Sequence, residues 1–165
     1  MTNQTIIQAE KGRQEYRIER TFDAHCELVF RAFTEAELLA QWFLPNADHL
    51  KIEKMDCHTG GSFRFSHSGP NGMSFGFRGV YHEVTYPACI IQTSEFTGLP
   101  HQIEPVLQIT RFKENGARQT TVYIHTICPS GDYRDNMMAA NMEATLNAGY
   151  NKLDTLLGHL IKKGK

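Results

Sequence analysis

Hydrophobic positions along this chain recur first every second residue, then every three or four, then every second again, and at the end every three or four. Residues 1–13 follow neither period and are expected to fray as a flexible N-terminal segment. Tyr16, Ile18 and Arg20 alternate with Arg17, Glu19 and Thr21, and Phe22 closes the run, which predicts a strand with one buried face. Asp23 is then a natural N-cap for a helix from Ala24, with Leu28, Val29, Ala32 and Phe33 as its apolar stripe. Thr34, with Glu37 three residues on, reads as a capping box for a short helix Glu35–Phe43 that Pro45 stops.

From His49 to Ile127 the period is two. The spacing predicts strands at Leu50–Met55, Ser62–His67, Ser74–Val84, Cys89–Phe96, Val106–Lys113 and Arg118–Ile127. Gly60-Gly61, Gly69-Pro70-Asn71-Gly72, Tyr86-Pro87 and Glu114-Asn115-Gly116 mark tight turns, and Gly98 opens a looser loop to Pro105. Short connections imply an antiparallel meander. Pro129-Ser130-Gly131 ends it, and Asp132 is the expected cap of a last helix. Met138, Met142, Thr145, Gly149, Leu153, Leu156 and Leu160 then form one helical face. The reading is a single helix from Asp132 to Ile161, about 45 Å long, that can cross a whole sheet.

Composition narrows the function classes. The chain has 165 residues, enough for a single core, so 14–161 is read as one domain with a basic tail at 162–165. Lys+Arg number 17 and Asp+Glu 18, a balance that argues against nucleic acid as a partner. No apolar run is long enough to span a membrane and no basic, apolar leader opens the chain, so a cytoplasmic location is expected. Cys26, Cys57, Cys89 and Cys128 stand apart without a C-x-x-C and read as reduced thiols. The eight histidines show no H-x-x-x-H or H-E-x-x-H spacing, so neither a metal nor another cofactor is expected. Adjacent His82 and Glu83 should point to opposite faces of their strand unless a bulge intervenes.

Four stretches carry a family resemblance. They are Val29-Phe30-Arg31-Ala32-Phe33-Thr34 followed by Leu39 and Trp42; Gly60-Gly61-Ser62-Phe63-Arg64-Phe65; Gly79-Val80-Tyr81-His82-Glu83-Val84; and Met142-Glu143 with Gly149-Tyr150-Asn151-Lys152-Leu153-Asp154-Thr155-Leu156. In this order they resemble the SRPBCC, or START-like, superfamily and within it the AHSA1-like branch named after the activator of the heat-shock protein 90 ATPase. The resemblance runs from about Tyr16 to Leu160. It implies an α+β helix-grip (START-like or Bet v 1-like) fold: a curved antiparallel sheet wrapped around a long C-terminal helix, with two short helices after the first strand.

In such relatives the space between sheet and helix holds small apolar or amphipathic molecules. The resemblance suggests Trp42, Phe65, Phe77, Tyr81, Phe112, Met138 and Met142 as wall residues here. Aligned on the family pattern, Gln108 and Thr110 share a face with Val106 and Phe112, while Val122, Ile124 and Thr126 face inward on the last strand. His67 shares a face with Phe63 and Phe65 and can stand at a pocket mouth. The expected function is thus a binding module for a hydrophobic or amphipathic ligand. A cyclase- or dehydratase-like enzyme using His67, Glu83 or Glu95 is one alternative, and a co-chaperone-like interaction domain another. A homodimer through an exposed edge strand is a further option.

Overall fold

The computed structural model describes residues 3–44, 48–68, 72–116 and 118–164, leaving aside the side chains of 48 and 49. The expected stop at Pro45 and the Gly69-Pro70-Asn71 part of the expected turn lie outside these residues. The strands are β1 (Ile6–Gln8), β2 (Glu15–Phe22), β3 (Asp48–Met55), β4 (Ser62–Ser68), β5 (Ser74–Thr85), β6 (Cys89–Thr97), β7 (Val106–Glu114) and β8 (Thr120–Ile127). They form one sheet in the order β1-β2-β8-β7-β6-β5-β4-β3 with every neighbouring pair antiparallel. β3 to β8 are the predicted meander, and β2 closes against β8. The helices are α1 (Cys26–Thr34), α2 (Ala36–Leu39), α3 (Gly131–Ala139) and α4 (Met142–Lys163).

Alternation decides which face of the sheet is inner. Tyr16, Ile18, Arg20 and Phe22 on β2 are all buried, as are Thr120, Val122, Ile124 and Thr126 on β8. α4 presses Gly149, Tyr150, Leu153, Leu156 and Leu157 into the interior. The Tyr150 ring meets Phe22 edge-on at 5.6 Å. Beside it the Arg20 guanidinium donates to Asp154 (2.6 Å), Asn151 (3.0 Å) and Thr5 (2.9 Å). One buried cation thus ties β2 to α4 and to the chain start. In the meander, Gly79 leaves no room for a side chain: a Cβ there would meet the Thr93 carbonyl at 1.8 Å and the Phe63 ring at 2.7 Å.

Five expectations need correction. The N-terminal segment contains β1, which pairs with β2 through Ile6↔Glu19, Ile7↔Ile18 and Gln8↔Arg17, so it does not simply fray. Three residues are too few for periodicity to reveal. The cap position of α1 is His25 rather than Asp23 and has no side-chain cap of its own. Glu114, from the far end of β7, instead accepts from the Cys26 amide (3.3 Å) and from His25 Nδ1 (2.8 Å). Asp23 accepts from Gln119. Thr34 donates back to the Phe30 carbonyl at 2.9 Å, so the cap position of α2 falls to Glu35.

The long terminal helix is two helices. Asn141 takes a left-handed conformation (φ 60°) between them, and Ser130, not Asp132, caps α3 by accepting from the Tyr133 amide. The physical reason is tertiary. Buried Arg134 donates to the Glu10 (2.7 Å) and Glu15 (3.2 Å) carbonyls, holding α3 against the N-terminal turn at the expense of helical continuity. Asparagine lowers the cost of the break. The restart also shifts the inward face, so Thr145 is exposed and Leu146 half-buried. Lys162 and Lys163 lie in the last turn of α4, where cations suit the helix dipole.

Candidate functional site

Cross-strand register arranges the inner face in rows. Tyr81 lies opposite Gln92, Gln92 opposite Gln108, Gln108 opposite Thr126, and Thr126 opposite Tyr16. This polar row crosses β5, β6, β7, β8 and β2. Its ends are buried, with Tyr81 and Tyr16 each 4% exposed and Thr126 at 1%, while the two central glutamines are only half-buried. The Gln108 carboxamide donates to the Thr126 hydroxyl at 3.4 Å. Tyr81 is hydrogen-bonded to the Cys57 thiol, and Tyr16 to Thr126. Burial pushes the Tyr16 phenol up to about 12 against the pull of Thr126. It also raises the Tyr81 phenol and the Cys57 thiol. These groups are therefore neutral hydrogen-bonding partners at physiological pH.

On one side of the row the interior is closed. Ile90, Thr110, Ile124 and Ile18 form the adjacent row and are all buried. Phe112 packs beyond them on Phe30 (5.0 Å) and Phe33 (5.2 Å) of α1. Trp42 donates its indole N–H to the Ala32 carbonyl at 3.0 Å and lies between Phe33 (4.8 Å) and Tyr150 (6.0 Å). Trp42, Thr110 and Phe112 are therefore set in the packed core, as buried as Phe65 and Tyr81. The chain dictates this locally: α1 and α2 follow β2 so closely that their apolar stripe must cover this end of the sheet.

On the other side the inner face is open. Every residue from Ile91 to Thr97 of β6 is only half-buried, although β6 is an interior strand. No residue of α4 before Gly149 is fully buried. Beyond Ser94 come Phe96, Phe77 and Phe65 in one row, then Phe75 and His67. Their rings make a continuous aromatic surface. Phe77 meets Phe96 at 5.4 Å, Phe75 meets Phe96 at 5.9 Å, His67 lies 5.9 Å from Phe75, and Phe43 reaches Phe65 (5.8 Å) and Phe77 (6.1 Å). Met138 and Met142 flank the helix break, half-buried against the core.

Of the residues singled out from the sequence, Phe65, His67, Phe77, Tyr81 and Gln108 share this polar row and aromatic surface. Gln92, Ser94 and Phe96 were missed. The alternation Ile90, Gln92, Ser94, Phe96 was there to find them. With two polar residues in its middle, it does not say which face is inner.

The acid–base candidates are not brought together. Glu83 and Glu95 pair across the sheet with Ile91 and Arg78 on the outer face, opposite to the face of His67. A bulge between Tyr81 and Glu83 also carries His82 outward, where it meets Thr93 at 3.3 Å. His82 and Glu83 thus share the outer side. Among the described residues no group of three or more His, Cys, Asp or Glu is placed to hold a metal ion. Among them, no helix is long and apolar enough to cross a membrane.

A curved antiparallel sheet with a long terminal helix and short helices is the helix-grip fold of the SRPBCC superfamily. The profile of the family described as activator of Hsp90 ATPase homolog 1-like protein matches residues 23–158, and the chain belongs to that family. No curated protein matches the sequence. Among solved structures, a Rhodobacter sphaeroides protein is 22% identical, with a TM-score of 0.78 over 94% of this chain and 99% of its own. An Arthrobacter aurescens protein is 16% identical, with a TM-score of 0.81 over 93% and 91%. One from Staphylococcus epidermidis is 25% identical, with a TM-score of 0.78 over 91% and 93%.

Proposed function

We propose that the protein is a binding module that holds a small hydrophobic or amphipathic molecule against the inner face of β4 to β7. The observation that carries this reading is the half-exposure of Gln92, Ser94, Phe96 and Gln108 at the centre of the sheet, where a filled core would bury them. Apolar and aromatic surface with a few polar groups is the usual make-up of a small-molecule site. Family membership supports the same reading. Native mass spectrometry of the purified protein, with NMR titration against a panel of apolar and oxygenated ring compounds, tests it. Binding should move backbone amides of β5, β6 and β7. A panel that moves none of them overturns the reading.

A second reading takes the family description at its word and makes the chain a co-chaperone-like interaction domain. It draws on the outer face, where Ile6 (48% exposed) and Tyr123 (39%) border a depression of about 280 Å³ with Ile109 and Arg111. Stimulation of a chaperone ATPase, lost in Tyr123→Glu, is its expected sign. An unchanged ATPase rate removes it.

A further inference from the structure

The terminal helix breaks at Asn141, although its sequence pattern runs on, and the break lies beside the open half of the inner face. We infer that α3 is a movable flap at that entrance, hinged at Ser130 and Asn141 and latched by Arg134 onto the N-terminal turn. Release of the latch widens access to the inner face while the sheet and the later turns of α4 stay folded.

Three observations carry it. First, α3 stands at the entrance. The polar row passes through Gln92, Gln108 and Thr126, and β8 runs on from Thr126 towards the open side, with Ile127 level with Leu107 and Thr93. The chain leaves the sheet there and enters α3 at Gly131. Tyr133 of α3 lies beside Cys128 and Tyr16, at the β2 end of the row. Met137 and Met138 rest half-buried against the core.

Second, little holds α3 in place. Arg134 is its only buried residue, whereas α4 buries Gly149, Tyr150, Leu153, Leu156 and Leu157. A helix as short as α3 is marginal on its own in water, so it keeps its shape only while docked. Elements with few buried contacts open before the rest of a fold. Both ends of α3 can turn. Ser130 is extended (φ −155°, ψ 166°), and Asn141 is left-handed with no side-chain cap.

Third, water can replace the latch. Arg134 donates to the Glu10 carbonyl (2.7 Å), the Glu15 carbonyl (3.2 Å) and Asp135 (2.8 Å). The carbonyls are neutral and the Asp135 side chain is 65% exposed. Opening therefore returns the guanidinium to water and recovers hydration that docking removed. The turn that receives Arg134 is firm. Gln14 donates to the Cys128 carbonyl (2.9 Å) and accepts from its amide (2.8 Å), and β1 pairs with β2. The N-terminal arm thus sets where α3 rests.

Hydrogen exchange of the full chain, read amide by amide in NMR spectra, tests the flap, and hydroxyl-radical footprinting reads the entrance. Amides 134–139 should share one opening and exchange at least about tenfold faster than Leu153, Leu156 and Leu157. Arg134→Gln should speed α3 exchange about tenfold further and raise oxidation of Phe77 and Phe96 at least about threefold, with Phe112 and the amides of β8 unchanged. Exchange of α3 at the rate of α4, fraying of α3 residue by residue, or an unchanged α3 in Arg134→Gln each overturns the inference. Faster exchange without more oxidation of Phe77 and Phe96 overturns it too, because α3 then opens away from the entrance. Should Arg134→Gln fail to fold, Arg134→Lys keeps the charge but not the reach to both carbonyls, and should speed α3 exchange at least about threefold with β8 unchanged. No change in that variant also overturns the latch. Neither readout uses a ligand, so the binding reading stands or falls separately.

Discussion

At the residue scale the inner face divides into side chains that fill space and side chains that border it. Phe65 is 6% exposed and packs on Phe63 and Phe43, so Phe65→Ala should cost about 3–5 kcal/mol in urea unfolding. Met142 is only half-buried, and Met142→Ala should cost less than about 2 kcal/mol. Equal losses would mean that the face near Met142 is filled. Arg20 poses a different question. Its side chain is 2% exposed and meets Asp154, itself 29% exposed, at 2.6 Å. Removing the carboxylate alone strands a buried charge, so Asp154→Ala should destabilise by about 3–5 kcal/mol. Arg20→Met combined with Asp154→Leu should recover most of that loss, because apolar isosteres avoid the desolvation of both charges.

At the element scale, two helix boundaries depend on groups far away in sequence. α1 begins where Glu114 meets His25 and the Cys26 amide. Those hydrogen bonds, His25 first, hold the Glu114 carboxyl below its ordinary value. A carboxyl lowered in the folded state adds stability that is complete above its unfolded value, about 4.3, and is lost as the pH falls through the lower folded value. Glu114→Gln should therefore lower the urea midpoint at pH 7 and have little effect at pH 3. A loss that is the same at both pH values would remove the cap from the account. The break between α3 and α4 rests on Asn141 at φ 60°. Asn141→Ala should cost about 1 kcal/mol, and Asn141→Gly less than about half of that, in thermal or urea melts.

At the scale of the whole molecule, the sheet is closed at one end and open at the other. α1, α2 and the later turns of α4 cover the rows beyond Thr110, and the aromatic surface from Phe77 to His67 is left half-exposed. A molecule bound there stabilises the fold by mass action, by about 2.7 kcal/mol at 100 times its dissociation constant. Such a ligand should raise the melting temperature in proportion to the logarithm of its concentration. Trp42 sits in the closed end, so its fluorescence should change little, whereas amides of β6 should move strongly. A large Trp42 response with a silent β6 would place the guest in the wrong half.

The sequence alone made β2 to β8, the meander and the sealing helices legible, because periods of two and of three to four residues follow from backbone geometry and burial. It also determined the charge balance, and the family motifs carried the expectation of an inner cavity. Tertiary structure decided what depends on distant partners. Glu114 replaced the expected local cap at Asp23, and Arg134 together with Asn141 broke a helix whose pattern runs on without interruption. The register set Gln92, Gln108, Thr126 and the two tyrosines in one row. No local pattern encodes these, since each depends on how different elements are laid against one another. For the same reason the half-exposure of Gln92 emerges only when β5, β6 and β7 are laid side by side.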